Sequence, residues 1–269
     1  MSIDTPAQKN TSQLADSISS RDAYFRTDHL SSDLKGRSIR GGAVTVMSQG
    51  MQFVLRFGST MVLARLLAPE AFGLVAMVMF VTGFVGMFND AGLSTATVQR
   101  QQLTHDQVSG LFFVNLLLGA LLALIAAALS PAIAWFFKEA RLTAITLALS
   151  PSILLSSLAV QHRALLRRNM QFTVIAVIEV VAAVAAAVVA VLLAWGGADY
   201  WALVAMMWMQ AGVVTAGVWI ACRWRPGRPK RNSGLRSLLT FGANLSGFQF
   251  LSYFTRNGDN FILGWAVGA

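Results

Sequence analysis

Charge is what this chain has least of. Asp, Glu, Lys and Arg make up 12% of its 269 residues, about half the ~25% of soluble domains. Cysteine is nearly absent. Cys222 stands alone, so no intrachain disulfide can form, and no CxxC or Cys/His cluster offers a metal site. The chain also has no P-loop, no Gly-rich dinucleotide turn after a strand, and no nucleophile with a base at motif spacing. It therefore reads as a non-enzyme with no catalytic, cofactor or metal residues. A clustered basic face is missing too. The net charge is +9, but the Lys and Arg residues fall between apolar runs, which argues against a nucleic-acid partner. Residues 1–35 lack both the apolar core and the small-residue cleavage site of a signal peptide, and their polarity reads as a disordered cytosolic tail.

What is abundant is apolar: 55% of residues are hydrophobic, in runs long enough for lipid. A membrane helix takes about 20 mostly apolar residues. By that measure six spans are predicted, near 42–64, 72–96, 108–137, 142–161, 172–195 and 200–222, with a seventh from Leu238 toward Trp265. The third is over-long, and Ser130-Pro131 marks a place for it to tilt or break. The fold expected is an all-α integral membrane protein of six helices, residues 36–222, followed by a basic cytosolic linker, 223–235, and one further helix, 236–269.

Basic residues orient the spans. With the tail inside, the inner segments hold Lys35, Arg37, Arg40, Arg100, Arg163, Arg167, Arg168 and the linker cations Arg223, Arg225, Arg228, Lys230, Arg231 and Arg236. The outer loops hold only Arg65, Lys138 and Arg141. That bias places the N-terminus and the linker in the cytoplasm. Trp135, Trp195 and Trp201 fall near the outer interface and Trp224 near the inner one, where such rings anchor. The linker, with its prolines and glycines, reads as a solvated hinge facing lipid headgroups.

The seventh span repeats the first. Gly50-Met51-Gln52-Phe53 aligns with Gly247-Phe248-Gln249-Phe250, and both copies begin on the cytoplasmic side. A repeat separated by six crossings is parallel, of the kind found in transporters built from two similar halves.

Several stretches then follow in order: LARLLAPEAFGLVAM, FNDAGLSTATVQRQQLT with LFFVNLLLGALLAL close behind, HRALLRRNMQF, IEVVAA, the basic linker, and TFGANLSGFQFLSYFTRNGDNFILG. This order resembles the polysaccharide transporters of the multidrug/oligosaccharidyl-lipid/polysaccharide flippase superfamily, in particular the lipopolysaccharide O-antigen flippases of colanic-acid exporter type. The resemblance runs from Leu34 to Ala269. It implies a chain of two six-helix halves, of which this sequence would be the first half and the opening helix of the second. It also implies flipping of a polyprenyl-pyrophosphate-linked oligosaccharide or repeat unit across the bacterial inner membrane, driven by an ion or substrate gradient. The bilayer is the other partner implied, together with polysaccharide polymerase and chain-length machinery.

Ionisable groups inside lipid cost at least about 2.5–3.5 kcal/mol, so each is a functional hypothesis. Gln49, Gln52, Arg56 and Ser59 recur at three- and four-residue steps and share one face of the first span, which should line a cavity. Glu179, in VIAVIEVVAAV, has no partner on its own helix. Arg56 and Glu179 are therefore expected to face one central cavity. Arg256 and Asp259 lie in the seventh span and either bind substrate or pair with each other. Asn89 and Asp90 end the second span; they either gate or couple ions, or Asp90 caps the next turn. His29, His105 and His162 fall in tail or loop positions. With the resemblance, the substrate's diphosphate would suit Arg56 or Arg256, and its sugars would suit the Gln, Asn and Asp side chains. Two readings compete with a flippase: a cation-coupled drug or metabolite exporter of the same superfamily, and a non-transporting scaffold for polysaccharide synthesis whose polar residues only pack helices.

Overall fold

A computed structural model describes residues 34–86, 88–90, 92–100 and 103–228. The tail, the seventh span, the sequence repeat and the Arg256/Asp259 pair lie outside the described residues. Among the described residues seven helices stand in chain order: α1 (Leu34–Leu66), α2 (Pro69–Gly86), α3 (Leu93–Gln99), α4 (His105–Phe137), α5 (Arg141–Arg168), α6 (Phe172–Trp195) and α7 (Tyr200–Ala221). The chain is an all-α membrane protein. Helices α4 to α7 are each long and apolar enough to cross a bilayer. The other two long helices, α1 with its interspersed arginines and α2 with a shorter apolar stretch, pack against them.

The packing follows the solvent. On α6 the buried stripe is Ala182, Ala186, Ala190 and Ala194, while Val177, Val181, Val184, Val188 and Leu192 face outward. Small residues inside let backbones approach, and large apolar ones outside meet lipid. Gly217 serves the same end, since a Cβ there would lie 2.7 Å from Ile178 on α6. Leu63, Ala71, Val75, Ala190 and Leu203 join α1, α2, α6 and α7 in one core. A second core of Leu74, Val78, Ile133, Ile145 and Val204 joins α2, α4, α5 and α7. Three side chains of α7 donate to α5 carbonyls: Trp208 Nε1 to Ala148, Thr215 Oγ1 to Leu155 and Trp219 Nε1 to Leu158, at 2.8–3.0 Å. Both partners advance together along the chain, so α5 and α7 are parallel, with α6 returning between them.

Three span boundaries differ from the sequence reading. The second span, expected as one helix over 72–96, is split into α2 and α3. Gly92 turns with φ 68°, and Asp90 Oδ1 accepts from the backbone N–H of Ser94 at 2.8 Å, starting a new helix. The third does not break at Pro131. Its missing N–H leaves the Ala127 carbonyl without a donor, and Ser130 Oγ supplies one at 2.7 Å, the kind of local repair that keeps proline tolerable in a membrane helix. Helix α5 runs on through Arg168, well past the predicted end at 161. Its 28 residues span about 42 Å, more than the ~30 Å of hydrocarbon, so its last turns project beyond the apolar run. His162, Arg163, Arg167 and Arg168 are consequently helical rather than loop residues, and His162 is fully buried.

Trp224 follows α7 and is held by protein contacts. It is buried among Phe112, His162 and Trp219, and its Nε1 donates to His105 Nδ1 at 3.1 Å. The first linker residues are held with it. Arg225 donates to the Trp219 and Cys222 carbonyls at the end of α7, and the Gly227 N–H donates to Ser109 Oγ at 2.9 Å. The ring fastens residues 222–228 to α4.

Candidate functional site: a cavity between five helices

Helices α1, α2, α5, α6 and α7 line an open cavity of about 860 Å³. Gln52, Arg56, Ser59 and Thr60 reach it from α1, Ser152, Ser156 and Arg163 from α5, Glu179 from α6, and Gln210 and Thr215 from α7. Phe72, Met79, Met206 and Met207 make the apolar wall. Such a surface offers hydroxyl and amide partners to a polar ligand and sulfur and ring contacts to an apolar one.

Glu179 organises the polar wall. Its Oε1 accepts from Arg163 Nη2 at 2.7 Å and its Oε2 from Gln52 Nε2 at 3.0 Å, while Gln52 also donates to Ser48 Oγ at 3.1 Å. One carboxylate thus ties α6 to α5 and α1, which answers its lack of a partner on its own helix. Glu179 also lines a second cavity of about 240 Å³, with Ser48, Gln49 and Arg167. The guanidinium of Arg56 has no acidic or hydrogen-bond partner among the described residues. Gln52, Arg56 and Glu179 therefore share one cavity, and Gln49 faces the smaller one beside it.

Asn89 and Asp90 stand elsewhere. Asn89 Oδ1 accepts from Ser157 Oγ, and a Cβ on Gly119 would collide with that same hydroxyl; glycine is what lets α4 approach the turn so closely. Asp90 accepts from both the N–H and the Oγ of Ser94. The other end of α3 is held by Arg168, which donates to the carbonyls of Thr97, Val98 and Arg100, and Thr97 Oγ1 donates to Gln161 Oε1 at 3.0 Å. Neither Asn89 nor Asp90 lines the larger cavity. Asp90 lies two residues before the N-cap Gly92 of α3, and its carboxylate satisfies an N–H of the first turn.

Arg163, Ser152, Ser156 and Gln210 escaped the sequence reading. The signal was present: Ser152, Ser156, Ala159 and Arg163 recur at steps of four, three and four, the spacing that grouped Gln49, Gln52, Arg56 and Ser59 on α1. A span ending at 161 leaves out Arg163, the charged member of that stripe.

With this geometry in place, comparison with known proteins is decisive at the family level. The sequence profile of the family described as "Polysaccharide biosynthesis protein" matches residues 62–269. The chain belongs to that family. Among its relatives, the succinoglycan biosynthesis transport protein ExoT of Rhizobium meliloti is 30% identical over 78% of this chain and 43% of its own length. The lipopolysaccharide biosynthesis protein WzxC of Escherichia coli is 24% identical over 88% of this chain and 48% of its own. The teichuronic acid biosynthesis protein TuaB of Bacillus subtilis is 26% identical over 70% and 39%. The chain thus spans under half the length of these relatives. No solved structure matches it.

Proposed function

We propose that the chain takes part in polysaccharide export, moving a lipid-linked oligosaccharide or repeat unit across the bacterial inner membrane, with its N-terminus in the cytoplasm. The observation that carries this is Arg56. An arginine without an acidic partner among the described residues, on a helix packed in a membrane bundle, faces a large cavity. A cation so placed is costly unless something anionic or aqueous meets it. A diphosphate suits it because a guanidinium presents a planar fork of donors to phosphate oxygens. The hydroxyls and amides of Thr60, Ser152, Ser156 and Gln210 suit sugar hydroxyls, and the methionine and phenylalanine wall tolerates a lipid chain. Membership of the polysaccharide biosynthesis family and the printed name of ExoT as a transport protein support the same reading. Arg256 and Asp259 remain proposed contributors from the second half.

The test is genetic. In a full-length context, Arg56→Ala should abolish surface polysaccharide in a cell lacking its own flippase while protein level and membrane insertion stay unchanged. Arg56→Lys should restore part of it. Normal surface polysaccharide from Arg56→Ala would remove the arginine, and with it the anionic-ligand reading.

A further inference from the structure

Two arginines line the larger cavity, and they are not in the same condition. Arg56 faces it freely among the described residues, whereas Arg163 is engaged by Glu179. That ion pair is incomplete. Among the described residues Arg163 uses Nη2 alone, and its Nε is buried without a partner. Elsewhere in the molecule Arg141 grips Glu139 through both Nε and Nη2, the two-pronged geometry of a settled pair. Nor is the Arg163–Glu179 pair sealed, since the two side chains are 32% and 23% exposed. The carboxylate has somewhere else to go: Arg167, one helical turn beyond Arg163, lines the smaller cavity that Glu179 also lines.

We infer that Glu179 is an exchangeable counter-ion: it masks Arg163 until a diphosphate headgroup arrives, then shifts toward Arg167 and leaves Arg163 to join Arg56 on the ligand. The inference rests on the diphosphate reading of the cavity. The exchange conserves charge. Before it, Glu179 neutralises Arg163; after it, Glu179 neutralises Arg167 and the ligand's negative charges meet Arg56 and Arg163. No charge is left buried and unpaired, the condition that makes broken ion pairs costly. The Gln52 amide can follow the carboxylate or turn to the ligand, since it already divides its donors between Glu179 and Ser48. Glu179 thus sets selectivity, because a ligand with too little negative charge cannot compete with it for Arg163.

Binding of farnesyl diphosphate to the whole 269-residue chain in phosphatidylcholine nanodiscs tests this. Glu179→Gln removes the competitor and keeps the shape, so affinity should rise about tenfold, as for loss of one competing ion pair. Arg167→Gln removes the landing place and should weaken binding several-fold, although that residue faces the smaller cavity. The double variant Arg163→Gln/Glu179→Gln leaves neither charge of the pair, keeps the fold testable, and should show no gain over the wild type. Inorganic pyrophosphate should rank the variants in the same order, and excess phosphatidylglycerol should not displace the prenyl diphosphate. Unchanged or weaker binding by folded Glu179→Gln would overturn the exchange, as would a gain that survives in the double variant or displacement by phosphatidylglycerol. If Arg56→Ala leaves wild-type binding intact, or nothing binds, the diphosphate reading itself falls. Dependence on Arg56 without the Glu179→Gln gain would overturn the exchange alone.

Discussion

Two polar regions sit in this helix bundle, and they are built differently. The seam between α3, α4 and α5 holds Asn89, Thr97, Ser157, Gln161 and Arg168. There Thr97, Ser157, Gln161 and Arg168 are buried, and Thr97, Ser157 and Arg168 donate to Gln161, Asn89 and helix-end carbonyls, while Gln161 Nε2 is buried without a partner among the described residues. The cavity holds Gln52, Arg56, Arg163 and Glu179, partly exposed and with donors to spare. Polarity inside a membrane protein is therefore not in itself a sign of function. Access distinguishes a site from a fastening, since the seam too keeps an unspent donor in Gln161 Nε2. Changes in the seam should cost stability, and changes in the cavity should cost binding.

The largest effect is expected at Gly119. A Cβ there would lie 1.8 Å from Ser157 Oγ and 2.6 Å from Ser157 Cβ, so Gly119→Leu should force α4 and α5 apart at a cost of about 3 kcal/mol. Thermal unfolding in detergent, followed by circular dichroism, would show a sharply lowered midpoint. Arg168→Met comes next. It leaves the Thr97, Val98 and Arg100 carbonyls without their charged donor, a loss of about 2 kcal/mol, which the same melt would resolve. Asp90→Ala removes the carboxylate that accepts from a first-turn N–H of a helix of seven residues and should cost about 1 kcal/mol. An export defect in Asp90→Ala out of proportion to that loss would move Asp90 from the seam to the transport machinery and blur the distinction.

The smallest effect belongs to neither region. At the start of α5, hydrogen bonds from Arg141 to Glu139, 2.9 Å at the shortest, hold that carboxyl below its ordinary value of 4.5, and Arg141 also pairs with Glu70 on α2. A lowered carboxylate stabilises the fold above pH ~4.5, and that contribution fades as pH falls through the depressed value. Both side chains are partly exposed, so screening keeps it slight. Glu139→Gln should flatten the acid limb of a pH–melting curve without moving its neutral plateau.

How much of this was legible in the sequence depended on whether lipid or a partner decided the outcome. Helices α6 and α7 lie within one residue of their predicted spans because apolar runs bounded by Gly196-Gly197 and Cys222 define them. Helix α5 was cut short because an apolar run ends where the hydrocarbon ends, whereas hydrogen bonding carries the helix further. The Asn89-Asp90 pair was visible as an interruption, but its use as acceptor and cap depends on Ser157 and Ser94. The polar face of α1 could be read from periodicity. The cost of charge in lipid puts Arg56 and Glu179 at one cavity, but the Gln52–Glu179 hydrogen bond and the part of Arg163 could not be read, because 127 residues separate Gln52 from Glu179 and no local pattern encodes that contact.

Ser156 and Ser157 allow the sharpest test, since adjacent residues of one helix face the two regions. Ser156 is exposed and lines the cavity, while Ser157 is buried against Asn89 and Gly119. In a Cys222→Ala background, Ser156→Cys should react with a small charged thiol reagent in native membranes, and Ser157→Cys should react only after unfolding. Equal labelling of the two, or none at Ser156, would contradict the claim that water and an anionic ligand reach one of these polar regions and not the other.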